Sequence, residues 1–148
     1  MKLTKIALPG INIQREWCEL ILAGKKTVET RDYPLPQSYK KVPIALIQTP
    51  GSGRGVTQIP GIIIFSDSFL YKSKKSWSRD RYRHCVPETH RYFRYVSGKH
   101  KWGWKIAEVY RFDHPVDPPK RRGMLYTRRC QLRMSAPLEA WLSKWNDL

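Results

Sequence analysis

Two short unbroken apolar runs, Ile44 to Ile47 and Ile62 to Phe65, set the strongest limit on what this chain can fold into. Neither approaches the ~18 apolar residues needed to cross a bilayer. Both sit inside longer β-rich stretches and read as buried strands over residues 42–49 and 61–70. The other segments arrange themselves around this pair. Residues 3–13 carry irregular alternation broken by Pro9 and Gly10, which predicts one or two short strands. Over 16–23, Trp17, Leu20 and Ile21 follow i, i+3, i+4 spacing and mark one face of a helix. Gly24 sits where that helix needs a cap at positive φ, and Lys25 and Lys26 complement its negative end. Residues 27–31 read as a strand, 50–55 as a glycine-rich loop, and 76–85 as a helix stopped by Pro87. A long strand follows over 102–112, then a proline-bearing loop over 113–123 and a last strand over 124–134. Over 137–146, Leu138, Trp141, Leu142 and Trp145 form the packing face of a closing helix. About six strands with two or three helices predict an α+β fold on a small mixed β-barrel with flanking helices, and 148 residues suit one such domain over the whole chain.

Charge decides which partners make sense. The chain has 28 Lys and Arg against 12 Asp and Glu, a formal charge of +16. Residues 72–133 alone hold 18 basic and 5 acidic residues, together with 10 of the 18 aromatics. Such a concentration repels itself unless something anionic sits there. Cations answer phosphates and flat rings answer unstacked bases, so Trp77, Arg79, Arg81, Tyr82 and Arg83, then Arg91 to Tyr95, suit single-stranded nucleotides. Lys74, Lys75, Arg79, Arg81, Arg83 and Lys101 are the expected grip on a nucleic-acid backbone. Without a basic amphipathic helix bearing a clean apolar face, a membrane-surface role is not expected.

Cys18, Cys85 and Cys130 are odd in number and widely spaced, which argues against a disulfide framework and for a reducing cytoplasm. The early apolar stretch, interrupted by Pro9 and Gly10, does not read as a secretory signal. His84, Cys85 and His90 fit no standard zinc spacing, so no metal and no cofactor is expected. Phosphate-binding Walker loops, G-x-S-x-G elbows and H-E-x-x-H helices are lacking in the sequence. The basic loop at Lys120, Arg121 and Arg122 can serve as a backbone contact or as solvated surface.

The densest chemistry lies between Ile21 and Tyr33. If 27–31 is a strand, Glu29 and Arg31 share one face about 6.5 Å apart, and Val28 turns to the other. Lys26, at the mouth of the preceding turn, reaches the same space. Two cations favour the ionised carboxylate and burial opposes it. The outcome separates a fixed acceptor from a proton shuttle, and a purely structural salt bridge fits the same residues.

Gly24-x-Lys26-x-x-Glu29-x-Arg31, preceded by Trp17 on its helix, resembles the G-x-K-x-x-E-x-R pattern of the ASCH (activating signal cointegrator homology) family in the PUA-like superfamily. The match is sharp over 14–33, and the stretch from Lys101 to Val109 resembles the closing strand of such domains. The resemblance implies a small barrel with a cleft at its mouth and an RNA or nucleotide role. Trp17, Gly24, Lys26, Glu29, Arg31, Tyr33 and Trp102 would line that cleft. Some relatives hydrolyse acylated cytidine with a Thr nucleophile and an activating Lys. This chain keeps the lysine as Lys26 but places Glu29 where the Thr belongs, without the hydroxyl that mechanism uses.

Three activities follow from these residues, with RNA as the first expected partner and single-stranded DNA as the second. The foremost is a binding module in which Glu29 reads a base edge or sugar hydroxyl and the cations meet phosphate. The next is a metal-independent ribonuclease, with Glu29 as base, Lys26 or Arg31 stabilising charge, and Tyr33 or a histidine as acid. The last is an amidohydrolase of a modified cytidine. A basic face recognising an acidic protein is the alternative outside nucleic acids.

Overall fold

The computed structural model describes residues 5–51, 53–119 and 126–146. Six strands form one mixed sheet: β1 (Lys5–Gln14), β2 (Val28–Arg31), β3 (Ile44–Thr49), β4 (Gln58–Leu70), β5 (Trp102–Val116) and β6 (Tyr126–Arg133), in the order β2-β5-β4-β3-β1-β6. Only β1 and β3 run parallel. Four helices accompany them: α1 (Arg15–Leu22), α2 (Lys74–Arg79), α3 (Arg81–His84) and α4 (Ala136–Asn146).

The two apolar runs occupy the centre of this sheet, and alternation sends their residues to both faces. Ile44, Leu46, Ile63 and Phe65 join Trp17, Ile21, Trp77 and Trp104 in one core. Ala45, Ile47, Ile59 and Ile62 join Leu138 and Leu142 of α4 in the other. A strand covered on both faces has no polar side to show, hence the unbroken runs. Trp141 and Trp145 of the predicted α4 stripe are half-buried, and the Trp145 indole N–H donates to Glu108 at 3.0 Å.

Several boundaries differ from expectation. β1 is a single strand whose register shifts between Leu8 and Gly10, so Pro9 dents it without dividing it. β5 continues through Pro115 to Val116 instead of ending at 112. Its proline is tolerated because the β4 ladder is irregular there, between Ile59 and Gly61 opposite Val116 and Arg111, and Pro60 lies in the same gap. Just beyond, β4 and β5 approach so closely that a Cβ on Gly61 would lie 2.2 Å from the Tyr110 carbonyl oxygen. The helix expected over 76–85 is two pieces broken at Asp80, which has φ −89° and ψ 10°. It starts at a Ser73–Ser76 capping box and stops at Cys85, in the left-handed region, before Pro87 is reached. Lys120, Arg121 and Arg122 fall outside the described residues.

The sheet expected to close into a barrel is open among the described residues, with β2 and β6 as its edges. Both edges of β1 are taken, by β3 and β6, leaving β2 no ladder to join there. Curvature still brings these two strands together. The Arg31 guanidinium on β2 donates to the Asn12 carbonyl on β1 at 3.0 Å, although β5, β4 and β3 lie between them in the order.

Candidate functional site

Helix α1 buries Trp17, Cys18 and Ile21 and ends at Gly24, with φ +76°. The Gly24 N–H donates to Ile21 and the Lys25 N–H to Leu20, at 3.0 and 2.9 Å. This wrap turns the chain into β2, where Glu29 pairs with Trp104 and Arg31 with Trp102 across the β5 ladder. Gly24 thus acts through its backbone and stays outside the cleft lining.

Lys26 does not serve the end of its own helix. Its ammonium, 1% exposed as a residue, donates to the His84 carbonyl at the end of α3. The Thr27 N–H donates to the Arg83 carbonyl at 2.9 Å, so this turn is stitched to the basic helix. Lys26 Nζ also lies 3.6 Å from Glu29 Oε1 and 5.2 Å from the centre of the Trp17 ring. Burial pulls its pKa below the ordinary lysine range, with Glu29 working against that shift.

Glu29 is filled from three sides. Oε1 accepts the Thr30 N–H at 3.1 Å beside the Lys26 contact, and Oε2 accepts Arg31 at 3.1 Å. The Arg31 guanidinium lies 5.7 Å from the Trp104 ring centre, and its buried Nε has no hydrogen-bond partner among the described residues. A carboxylate so engaged is a fixed acceptor. The trio carries one net positive charge, with the Arg31 Nε donor left unpartnered among the described residues.

Lys26, Glu29 and Arg31 open onto a cleft of about 300 Å³, bordered further by Asn12, Gln14, Trp17, Thr30, Thr49, Val86 and Phe93. The sequence-predicted trio and Trp17 therefore meet in one place. Tyr33 and Trp102 do not line it. β2 ends at Arg31, and the turn after it sends the Tyr33 ring edge-on to Trp104 at 5.6 Å, where its carbonyl accepts the Trp104 indole N–H at 2.9 Å. Trp102 packs half-buried on the core, and Trp104 is fully buried. Asn12, Gln14 and Thr49 were missed. The signal for the first two lies in β1, where they alternate with Ile11 and Ile13 just before the chain enters α1.

The basic flank divides in two. Lys74, Lys75, Arg79 and Arg81 are exposed on α2 and α3. Arg83 is held by Asp80 at 2.5 Å, and Lys101, expected to grip a backbone, is buried and paired with Asp32 at 3.5 Å. Burial first, then Glu29 and Glu19, pushes the Cys18 thiol up to about 12. Among the described residues no three His, Cys, Asp or Glu side chains group as metal ligands, and no helix is long and apolar enough to cross a membrane.

His84 is structural. Its ring stacks on Trp77 at 4.6 Å, Nε2 donates to the Trp77 carbonyl at 2.7 Å, and Nδ1 accepts the Val86 N–H at 2.9 Å. Only the neutral imidazole fits both bonds. Burial lowers its pKa to about 4 from the ordinary 6.5. Between those values the unfolded chain takes up a proton that the native state refuses, so this contribution to stability is complete above the upper value and lost as pH falls towards the lower. The thermal midpoint should therefore drop more steeply across that window than it does in His84→Gln. Parallel declines in the two proteins would remove His84 from the acid response.

No family model and no curated protein matches this sequence. Solved structures do. The ASCH protein of Zymomonas mobilis aligns at TM-score 0.60 and 17% identity, over 92% of this chain and 93% of that one. Two single-substitution mutants of the same protein, serine to alanine and tyrosine to phenylalanine, align at TM-scores 0.59 and 0.60, also at 17% identity, with 94% and 96% of those chains covered. The chain has an ASCH-like fold.

Proposed function

We propose, on the premise of an ASCH-like fold, that this protein is a single-stranded RNA-binding module whose cleft holds one nucleotide. The observation that carries the reading is the convergence of Lys26, Glu29 and Arg31 on a cleft walled by the Trp17 and Phe93 rings. Its volume is at the small end of the ~300–1,000 Å³ usual for ligand pockets, room for one nucleoside and not for a strand. Glu29 accepts from the base edge or a sugar hydroxyl, and the Arg31 guanidinium beside it keeps the site positive. Lys74, Lys75, Arg79 and Arg81 meet phosphates outside. Lys101 has no part in this grip.

The ribonuclease reading has weaker support, because neither Tyr33 nor a histidine borders the cleft to protonate a leaving oxygen. The amidohydrolase reading still wants a nucleophile at Glu29.

Titrating single-stranded RNA against increasing salt tests the proposal. Arg79→Ala with Arg81→Ala should weaken every RNA alike and flatten the slope of log K on log salt by ~0.7 per lost contact. Glu29→Gln should alter the preference among homopolymers more than mean affinity. Salt-independent affinity, or unchanged preference in Glu29→Gln, would overturn the reading. RNA cut in excess chelator by the parent protein and spared by Glu29→Gln would replace it with the ribonuclease.

A further inference from the structure

We infer that a second nucleotide subsite, stacking one base of the same RNA strand, lies in the depression of about 400 Å³ bordered by Phe69, Lys72, Arg79, Tyr82 and Arg83. The inference rests on the RNA-binding reading and extends it to where the strand goes after the cleft. Val86 borders the cleft and Arg83 the depression, so the two are separated by little more than the end of α3.

The depression joins aromatic faces to uncompensated charge. The Phe69 ring has the Arg83 guanidinium 5.2 Å and the Lys105 ammonium 5.7 Å from its centre. Tyr82 stands at the rim with 77% of its surface exposed. Asp80 is the single acid lining the depression, and it is committed to the Tyr71 hydroxyl and to Arg83. Lys72 and Arg79, which border the depression, make no ion pair among the described residues, so their charge remains for a ligand. Cations beside an exposed ring match a nucleotide, whose phosphate takes the charge and whose base stacks on Tyr82. An acidic peptide would use the cations and leave Tyr82 idle, which favours RNA.

Tyr82 also makes a clean test, since a side chain this exposed can be changed without disturbing the core. Binding of a labelled mixed-sequence 12-mer RNA to the full chain would be followed by anisotropy, with polyglutamate as competitor. Tyr82→Ala should weaken binding by about fivefold or more, the loss of one stacked base, and this factor should persist as salt rises. Tyr82→Phe should bind like the parent, and polyglutamate should displace RNA poorly. Unchanged affinity in Tyr82→Ala, equal losses in the Ala and Phe variants, or efficient displacement by polyglutamate would each overturn the subsite. Glu29→Gln tested alongside separates the two claims. Loss of binding or of base preference there, with Tyr82→Ala like the parent, sinks the subsite and keeps the cleft. The reverse keeps the subsite and sinks the cleft. No RNA binding by the parent protein removes both.

Discussion

Replacing Glu29 by alanine should destabilise the protein by about 3–5 kcal/mol, the usual cost of stripping one partner from a buried ionic cluster. Among hydrogen-bond acceptors Lys26 would then keep the His84 carbonyl and Arg31 the Asn12 carbonyl, so two desolvated cations would face each other without a carboxylate between them. Glu29→Gln should cost less, about 1–3 kcal/mol. One amide oxygen can accept from Arg31 or from the Thr30 N–H beside Lys26, and the amide nitrogen then points a donor at the other side. Adding Lys26→Met to Glu29→Ala should recover part of the loss, since one orphaned charge disappears with it. Urea midpoints of the four proteins check this order. A Glu29→Ala variant within about 1 kcal/mol of the parent would show that the cluster is hydrated, and the fixed-acceptor role given to Glu29 would go with it.

That cluster was readable in sequence because its spacing rules are local. A helix cap at Gly24 and two-residue alternation along β2 are enough to put Lys26, Glu29 and Arg31 in one place. Long-range partners were not readable. Nothing near Lys26 names the His84 carbonyl, 58 residues on, and nothing near Lys101 names Asp32, which converts an expected phosphate contact into a buried ion pair. Both depend on how strands are ordered, and that order places β5 between β2 and β4. Tyr33 failed for a different reason. Alternation would put it on the face of Glu29 and Arg31, but the strand ends at Arg31 and alternation ends with it. The two-sided apolar strands announced the core without revealing that β6 would take the outer edge of β1 and stand with β2 as the two edges of an open sheet. β5 overran its predicted end because Pro115 falls where the β4 ladder is interrupted, a gap that neither Pro115 nor Pro60 signals alone.

Trp104→Ala is the other substitution expected to be severe, at about 3–5 kcal/mol. The indole is fully buried, sits edge-on to Phe65 at 5.4 Å and to Tyr33 at 5.6 Å, and supplies the N–H that the Tyr33 carbonyl accepts. Removing it empties the core directly beneath Arg31 and frees the turn that follows β2. Trp104→Phe should recover much of the volume and none of the hydrogen bond, leaving a deficit of about 1–3 kcal/mol for the unpaired carbonyl. The two variants divide packing from positioning. If the indole also holds the guanidinium over the cleft, Trp104→Phe should weaken nucleotide binding well below its denaturation midpoint, where the chain is fully folded. If binding by the folded Trp104→Phe variant matches the parent, Arg31 is placed by Glu29 and Asn12 alone, and Trp104 serves the core without serving the site.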